Sequence, residues 1–335
     1  MLKKLLIILI LLSGLFAEEY EENRGYHLGE GAQVGSLPLY IGGYFSLDYR
    51  YKDSKSRYRV DDLALLAYGN YDKLSYMAEL EFKEFYTLAE DENGFSTTQD
   101  KALHVERLYI DYNFNENYMF RGGKYNSQVG FWNLLPINVL RDTTSNPIST
   151  EIIFPKFTTG IYASYNSFDD GDFQVDIMLQ HNDDFDSEYN NYVIDEYYAL
   201  GISYLKNDLA LKLDIGMFDN YMPDNTTQNL YYVLASMKYE TQNYQVMSEV
   251  GTQSATDGVT TEYAAYLQGV YHLSEQHAAI VRLESYNDKL HDVEDNIAIF
   301  AYTYRPLYPV VFKAEYQLHS RSDENQLLCS FSVLF

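Results

Sequence analysis

The sequence predicts an all-β fold: a transmembrane antiparallel β-barrel of about sixteen strands, with a long third outer loop folded into the lumen. Three observations predict it. From residue 37 onward, short runs alternate apolar and polar residues at period two, the pattern of strands with one apolar and one polar face. The gaps between the runs are alternately short and long, as in barrels with tight turns on one side of a bilayer and longer loops on the other. The final run places Leu327, Cys329, Phe331, Val333 and Phe335 on one apolar face, as expected of a lipid-facing strand that closes against the first.

The chain begins with a segment that does not belong to the barrel. Lys3 and Lys4 precede the apolar run Leu5 to Leu12 and the small-residue stretch Ser13 to Ala17. That core is too short to span a bilayer as a helix, and its flanks are those of a signal peptide. Residues 1–17 are therefore read as a signal peptide. Residues 18–36, polar and acidic, are read as a mobile N-terminal periplasmic tail, and residues 37–335 as one barrel. No later stretch reaches the ~18–20 uninterrupted apolar residues of a membrane helix.

Composition bounds the function. Tyr counts 35 and aromatic residues make up 16%, a bias that suits strands and water–lipid boundaries. The single cysteine, Cys329, excludes an intrachain disulfide framework. The formal net charge is −25. Such a chain lacks the basic footprint of nucleic-acid binding and favours cations near its acidic surfaces.

Sixteen runs are placed at 38–51, 57–70, 73–87, 102–114, 117–129, 156–166, 172–182, 195–205, 208–218, 229–240, 243–253, 261–273, 276–286, 296–304, 309–318 and 325–335. In the ninth, Leu209, Leu211, Leu213, Ile215 and Met217 oppose Lys212 and Asp214. In the fifteenth, Phe312, Ala314, Tyr316 and Leu318 oppose Lys313, Glu315 and Gln317. Parity is muddled in the runs near 102–114, 117–129 and 296–304. A soluble sandwich would also alternate. It has no reason to alternate its turn lengths, from Asn70–Asp72, Lys206-Asn207 and Thr241-Gln242 to Leu88–Lys101, Asp183–Ile194 and Asp219–Gln228.

The long gap from Gly130 to Pro155 holds the only Trp, Trp132, and Pro136, Pro147 and Pro155. At about 25 residues it exceeds ordinary connections. Three resemblances bear on it. The C-terminal run ending on Phe335 resembles the terminal signature of bacterial outer-membrane β-barrel proteins. A sixteen-stranded barrel whose third outer loop is long resembles the porins, which implies a loop that folds inward and narrows the lumen. The stretch Gly123-Lys124-Tyr125-Asn126-Ser127-Gln128-Val129-Gly130 resembles the Gly-Lys-aromatic-x-x-Pro-x-Gly signature of the phosphate-selective group, with Gln128 in place of Pro. Phosphate selectivity is not carried over, because a path for phosphate needs a ladder of basic groups and the chain has 24 basic residues against 49 acidic ones.

Candidate constriction and pore-lining residues follow from this. Trp132, Arg141, Asp142 and Glu151 lie in the loop. Arg107, Asp111 and Arg121 lie on neighbouring strands, and Glu79, Glu81, Lys83, Arg282 and Glu284 face the lumen by parity. Opposed charges across a narrow lumen filter polar solutes; the plainer reading is that they are wall charges paired along the strands. Trp132, Leu134, Leu135, Pro136 and Ile137 are read as a loop anchor against the inner wall, the alternative being an aromatic-belt element facing lipid. Tyr109, Tyr112, Tyr197, Tyr198, Tyr231 and Tyr232 are read as an interfacial girdle.

The expected function is an outer-membrane porin of a Gram-negative-type bacterium. It passes small hydrophilic solutes and ions by passive diffusion, with a cation or neutral preference and no cofactor. The alternatives are a substrate-selective porin of anion or phosphate type, or an outer-membrane barrel enzyme. No Gly-x-Ser-x-Gly occurs, so the chain is read as no enzyme. Asp183, Asp184, Asp186 and Glu188 cluster in an outer loop, but without the spacing of a calcium loop. Partners implied by the resemblance are outer-membrane lipid and lipopolysaccharide, the barrel assembly machinery, and a homotrimer.

Overall fold

The computed structural model describes residues 26–92, 94–168, 171–222 and 226–335; the proposed signal peptide lies outside them. Sixteen strands form the barrel wall. They are β1 Tyr40–Lys52, β2 Lys55–Tyr71, β3 Leu74–Asp91, β4 His104–Asn113, β5 Tyr118–Asn126, β6 Phe157–Ser167, β7 Asp172–His181 and β8 Glu196–Lys206. Then follow β9 Leu209–Tyr221, β10 Thr227–Glu240, β11 Tyr244–Ala255, β12 Gly258–His272, β13 His277–Asp288, β14 Val293–Leu307, β15 Val310–His319 and β16 Gln326–Leu334. Each corresponds to one expected run. Every strand pairs antiparallel with its sequence neighbours, and β16 closes on β1 from Gln326↔Lys52 to Leu334↔Tyr44. Closure leaves no edge strand and satisfies the backbone within the wall.

The side-chain pattern is inside out relative to a water-soluble protein. On β9 Leu209, Leu211, Leu213, Ile215 and Met217 are exposed, while Lys212 and Asp214 are buried. On β15 Phe312, Tyr316 and Leu318 are exposed, while Lys313, Glu315 and Gln317 are buried. An apolar outer belt around a polar interior is what a bilayer selects.

The turns refine the expected gaps. At the end bearing the chain termini they are tight, as at Asp72 and Asn207, both with φ 53°. At the other end β1 and β2 are joined by Asp53 and Ser54 alone, with φ 49° and 62°, the left-handed pair of a type I′ hairpin. The gap expected to be long at Asp219–Gln228 is shortened by strand at both ends, through Tyr221 and from Thr227, and β11 passes to β12 through Thr256 and Asp257 alone. Antiparallel pairing needs no membrane, so the wall continues into water. The gap after β3 likewise contains a short strand, Gly94–Thr98, folded back on β3.

The expectation of a mobile tail is corrected for its described part. Short strands Tyr26–His27 and Gly31–Gln33 form a hairpin, and the second adds to β1 through Ala32↔Ile41 and Gln33↔Tyr40.

Between β5 and β6 the chain turns into the barrel. This inner loop, residues 127–156, holds two 3-10 turns, Trp132–Leu134 and Asn138–Leu140, and one short helix, α1, Ile148–Ile152. Beneath it Val129, Ile153 and Phe154 pack on Tyr125, Tyr162, Met178, Phe218 and Leu234 from the wall. Tyr197 and Tyr232 belong to this cluster. They are 0% and 2% exposed and share a 2.7 Å hydroxyl–hydroxyl bond, which corrects their reading as girdle residues. Their strand positions face inward, and Val129, Ile153 and Phe154 of the loop give such rings apolar partners.

Candidate functional site: a loop-narrowed aperture

The inner loop is fastened to one side of the lumen. At its entry Gly130 N donates to Asp214 Oδ2 at 2.9 Å, and Phe131 N and Trp132 N donate to Glu249 Oε1 at 2.6 and 3.1 Å. Gly130 has φ 65°, and a Cβ there would lie 2.6 Å from the same carboxylate, so only glycine permits this approach. Lys212 Nζ donates to Gln128 O at 2.6 Å.

Further along, Lys313 Nζ donates to Asn138 O at 2.6 Å and Thr143 O at 3.1 Å. Arg305 Nη1 donates to Val139 O at 2.5 Å. Arg282 Nη1 donates to Thr143 Oγ1 at 2.7 Å, and its Nη2 to Ser145 Oγ at 2.6 Å. Glu315 accepts from Thr144 N at 2.9 Å, and Glu284 from Ile148 N at 2.8 Å. Charged side chains thus meet backbone groups that have no ladder partner, and charge-assisted bonds are the stronger class. Trp132 is 1% exposed, packs on Met247 and Tyr266, and donates Nε1 to Asn146 Oδ1 at 3.2 Å. Trp132 is thus packed into the lumen side of the wall and not against lipid.

These anchors come from β9, β11, β13, β14 and β15. Across the opposite quadrant, β1 to β4, Ile137 of the loop packs against Tyr44, Ala64 and Leu66, and loop and wall together bound a polar cavity of about 290 Å³. Its wall side carries Tyr44, Asp48, Arg59, Asp61, Asp62, Glu79, Glu81, Lys83, Glu106 and Arg107. Its loop side carries Trp132, Pro136, Asn138, Arg141 and Thr144 to Asn146.

Three breaks in strand register crowd this wall with charge. Between β1 and β2 the register moves from Phe45↔Leu63 to Leu47↔Val60, so Asp61 and Asp62 both face Ser46. Between β2 and β3 it breaks again at Val60/Asp62, beside Glu84 with φ 47°. Between β3 and β4 it moves from Glu79↔Arg107 to Leu80↔Val105, leaving Glu106 as the extra residue. A bulge sets two consecutive residues against one. Asp61 with Asp62, and Glu106 with Arg107, therefore line the cavity as neighbours where strict alternation would turn one of each pair outward.

Most cations here are already paired. Arg107 pairs with Glu79, and Lys83 with Glu106 and, at 3.7 Å, Glu81. Arg59 meets Asp61 at 2.8 Å and Asp48 at 3.2 Å. Arg141 donates to Leu135 O, Pro136 O and Asn146 Oδ1 at 2.7 to 2.8 Å, so its guanidinium braces its own loop. Asp62 receives Ser46 Oγ at 2.5 Å and has no ion pair among the described residues. Glu81 takes Tyr44 at 3.2 Å.

Of the residues expected to line the constriction, the fold brings Glu79, Glu81, Lys83, Arg107, Trp132 and Arg141 to the cavity. Arg282 and Glu284 pair at 2.7 Å and hold the loop instead of facing open lumen. Asp142 sits by Arg305 at 3.5 Å. Glu151 pairs with Lys156 at 2.9 Å. Burial raises the Glu151 carboxyl, but Lys156, Asn146 and Arg141 outweigh it and hold its pKa below the usual value. Asp111 and Arg121 pair bidentately at 2.6 and 2.9 Å away from the cavity lining, with the guanidinium 4.0 Å from the Tyr109 ring centre. Gly123, in the stretch that resembles the phosphate-selective signature, has φ 130° and abuts Leu108 O; its need is steric.

Sequence reasoning missed Asp48, and also Arg59, Asp61, Asp62 and Glu106, which lie at or beyond bulges that break strict alternation. It also missed a second inward loop, residues 182–195. Asn191 Nδ2 donates to Phe154 O at 2.8 Å, Tyr192 to Ile152 O at 2.6 Å, and Tyr189 reaches the cavity while donating to Asp100 at 2.6 Å. Two of its acids have close protein partners. Asp184 accepts from Asn190 at 2.6 Å, and Asp186 accepts from Val105 N at 3.1 Å and lies 3.1 Å from His104 Nδ1.

No protein-family model matches the sequence, and no curated protein matches it. Solved structures do. An anion-selective porin from Comamonas acidovorans aligns over 89% of this chain and 99% of its own, with TM-score 0.62 and 11% identity. OmpF of Salmonella typhi, in complex with daunomycin, aligns over 89% and 97%, with TM-score 0.60 and 10% identity. The trimer form of OmpT, an outer-membrane protein of Vibrio cholerae, aligns over 89% and 99%, with TM-score 0.54 and 12% identity. At these identities the likeness is one of architecture: the chain has the fold of the outer-membrane porin barrels.

Proposed function

We propose that the chain is a porin of the outer membrane of a Gram-negative-type bacterium. It forms a water-filled channel through which small hydrophilic solutes and ions diffuse passively, with cations and neutral solutes preferred over anions. One observation carries this reading. The inner loop is hydrogen-bonded to one side of the lumen and bounds a polar aperture on the other, where Asp62 has no ion pair among the described residues while Arg59, Lys83, Arg107 and Arg141 are engaged. A carboxylate-lined constriction favours cations. Lys212, Asp214, Glu249, Arg282, Glu284, Arg305, Lys313 and Glu315 are taken up in anchoring the loop, which supports a channel over an enzyme. The apolar outer belt suits contact with lipid and lipopolysaccharide, and the closing strand ending near Phe335 suits recognition by the barrel assembly machinery. The trimer form of the Vibrio cholerae protein motivates a homotrimer here.

Planar-bilayer recording tests the reading. Stepwise conductance, with a reversal potential in a potassium chloride gradient that favours potassium, is expected. An absence of steps refutes the channel, and chloride preference refutes the selectivity.

A further inference from the structure

Above the aperture, on the lumen face of the β1–β2 hairpin, the charge reverses. Arg50 lies directly opposite Arg57, and Lys52 directly opposite Lys55. Like charges placed directly across a ladder destabilise a sheet, and this chain has 24 basic residues among 49 acidic ones. Two consecutive cationic rungs therefore ask for a counter-charge. The protein supplies part of one. Lys52 pairs with Glu324, Arg57 with Glu84 at 2.9 Å, and Arg59 shares that same Glu84 at 2.6 Å. Arg50 and Lys55 have no hydrogen bond or ion pair among the described residues, and both are exposed.

Arg50, Arg57 and Arg59 line a cavity of about 180 Å³ with Asp48 as its one acid, closed on the far side by Thr144 and Ser145 of the inner loop and by Gln326. Arg50 and Arg57 share the face of Asp48 and Ser46, whereas Tyr51 and Tyr58 face outward. The cluster is thus presented to solutes entering the lumen and not to the lipid around the barrel.

We propose that this outer vestibule is an oxyanion-binding site, in which the paired guanidinium groups of Arg50 and Arg57 hold a carboxylate or phosphate group carried by a soluble molecule. Arginine forks match such groups bidentately. The inference rests on the channel reading, in that the site stands in the path of the solute. A solute carrying both an oxyanion and a cationic group meets complementary charge at the vestibule and then at Asp62.

The test uses the purified, folded full-length barrel with inorganic phosphate as the probe. Calorimetric titration is expected to show saturable binding that weakens at least tenfold in Arg50→Gln/Arg57→Gln. A heat-modifiable gel shift checks that the variant is folded, and Arg50→Gln alone serves if the double variant is not. In single channels, phosphate added on the side of the β1–β2 turn is expected to reduce potassium current at lower concentration than phosphate on the opposite side. Equal phosphate binding by wild type and variant overturns the site, as does block without sidedness. Binding of lipopolysaccharide with none of inorganic phosphate assigns the cluster to lipid and also overturns it. Phosphate binding without stepwise conductance refutes the channel reading and leaves the site, while conductance without phosphate binding does the reverse.

Discussion

Arg282 donates from Nη1 to the Thr143 hydroxyl at 2.7 Å, joining residues 139 positions apart in sequence. Its Nε pairs with Glu284 at 2.7 Å, and the guanidinium lies 5.4 Å from the Trp132 ring centre. One side chain thus fixes the tip of the inner loop, its aromatic anchor and a wall carboxylate. Removing one partner of such a buried pair costs about 3–5 kcal/mol because the other charge is stranded. Arg282→Ala is expected to raise open-channel noise and lower the temperature of the heat-modifiable shift. Thr143→Val, which removes one hydrogen bond worth about 1 kcal/mol, is expected to do so weakly. Equal effects of the two would refute this ranking.

Glu249 sets where the loop enters the lumen. Its Oε1 receives two backbone N–H groups, from Phe131 and Trp132. Glu249→Ala leaves both without a partner, at roughly 1–3 kcal/mol each, while Glu249→Gln keeps an acceptor. The Ala variant is therefore expected to show larger or unstable single-channel conductance, and the Gln variant a conductance near wild type.

The acidic wall is expected to set ion preference. In Asp61→Asn/Asp62→Asn the potassium-to-chloride permeability ratio should fall several-fold, since about 1 kcal/mol of lost attraction corresponds to roughly a fivefold change. Reversal potentials in a salt gradient measure it. An unchanged ratio would place the filter elsewhere.

Glu151 gives the loop a pH dependence of known sign. Its folded pKa is held below the ordinary value by Lys156, Asn146 and Arg141 against the opposing effect of burial. A depressed carboxylate contributes stability that is fully present above its unfolded pKa, about 4.3, and lost as pH falls through the folded value. Conductance is therefore expected to hold on acidification to about that value and to change below it. In Glu151→Gln that acid-dependent change should be reduced, as read by conductance against pH.

Much of this molecule was legible in the chain. Alternation on β9 and β15 told which side chains face lipid, because the side-chain period of a strand is two and a bilayer accepts only one face. The sixteen strands and the position of the inner loop followed from gap order. Lys212, Asp214, Arg282 and Glu284 were legible as inward-facing but not as anchors, because a one-dimensional pattern does not say which wall the loop touches. Tyr197 and Tyr232 looked interfacial until the loop supplied their packing partners. The aperture's own charges were the least legible. Asp61, Asp62 and Glu106 owe their direction to register breaks at Ser46, Val60 and Glu79, and a bulge is a property of two paired strands. A closed, polar-lined barrel with one loop turned inward was thus written in the alternation and the gap order. Which side of the lumen holds the loop depends on contacts such as Phe131 to Glu249 and Asn138 to Lys313, more than a hundred positions apart, and which carboxylates meet the opening depends on register breaks between paired strands, neither of which a one-dimensional pattern carries.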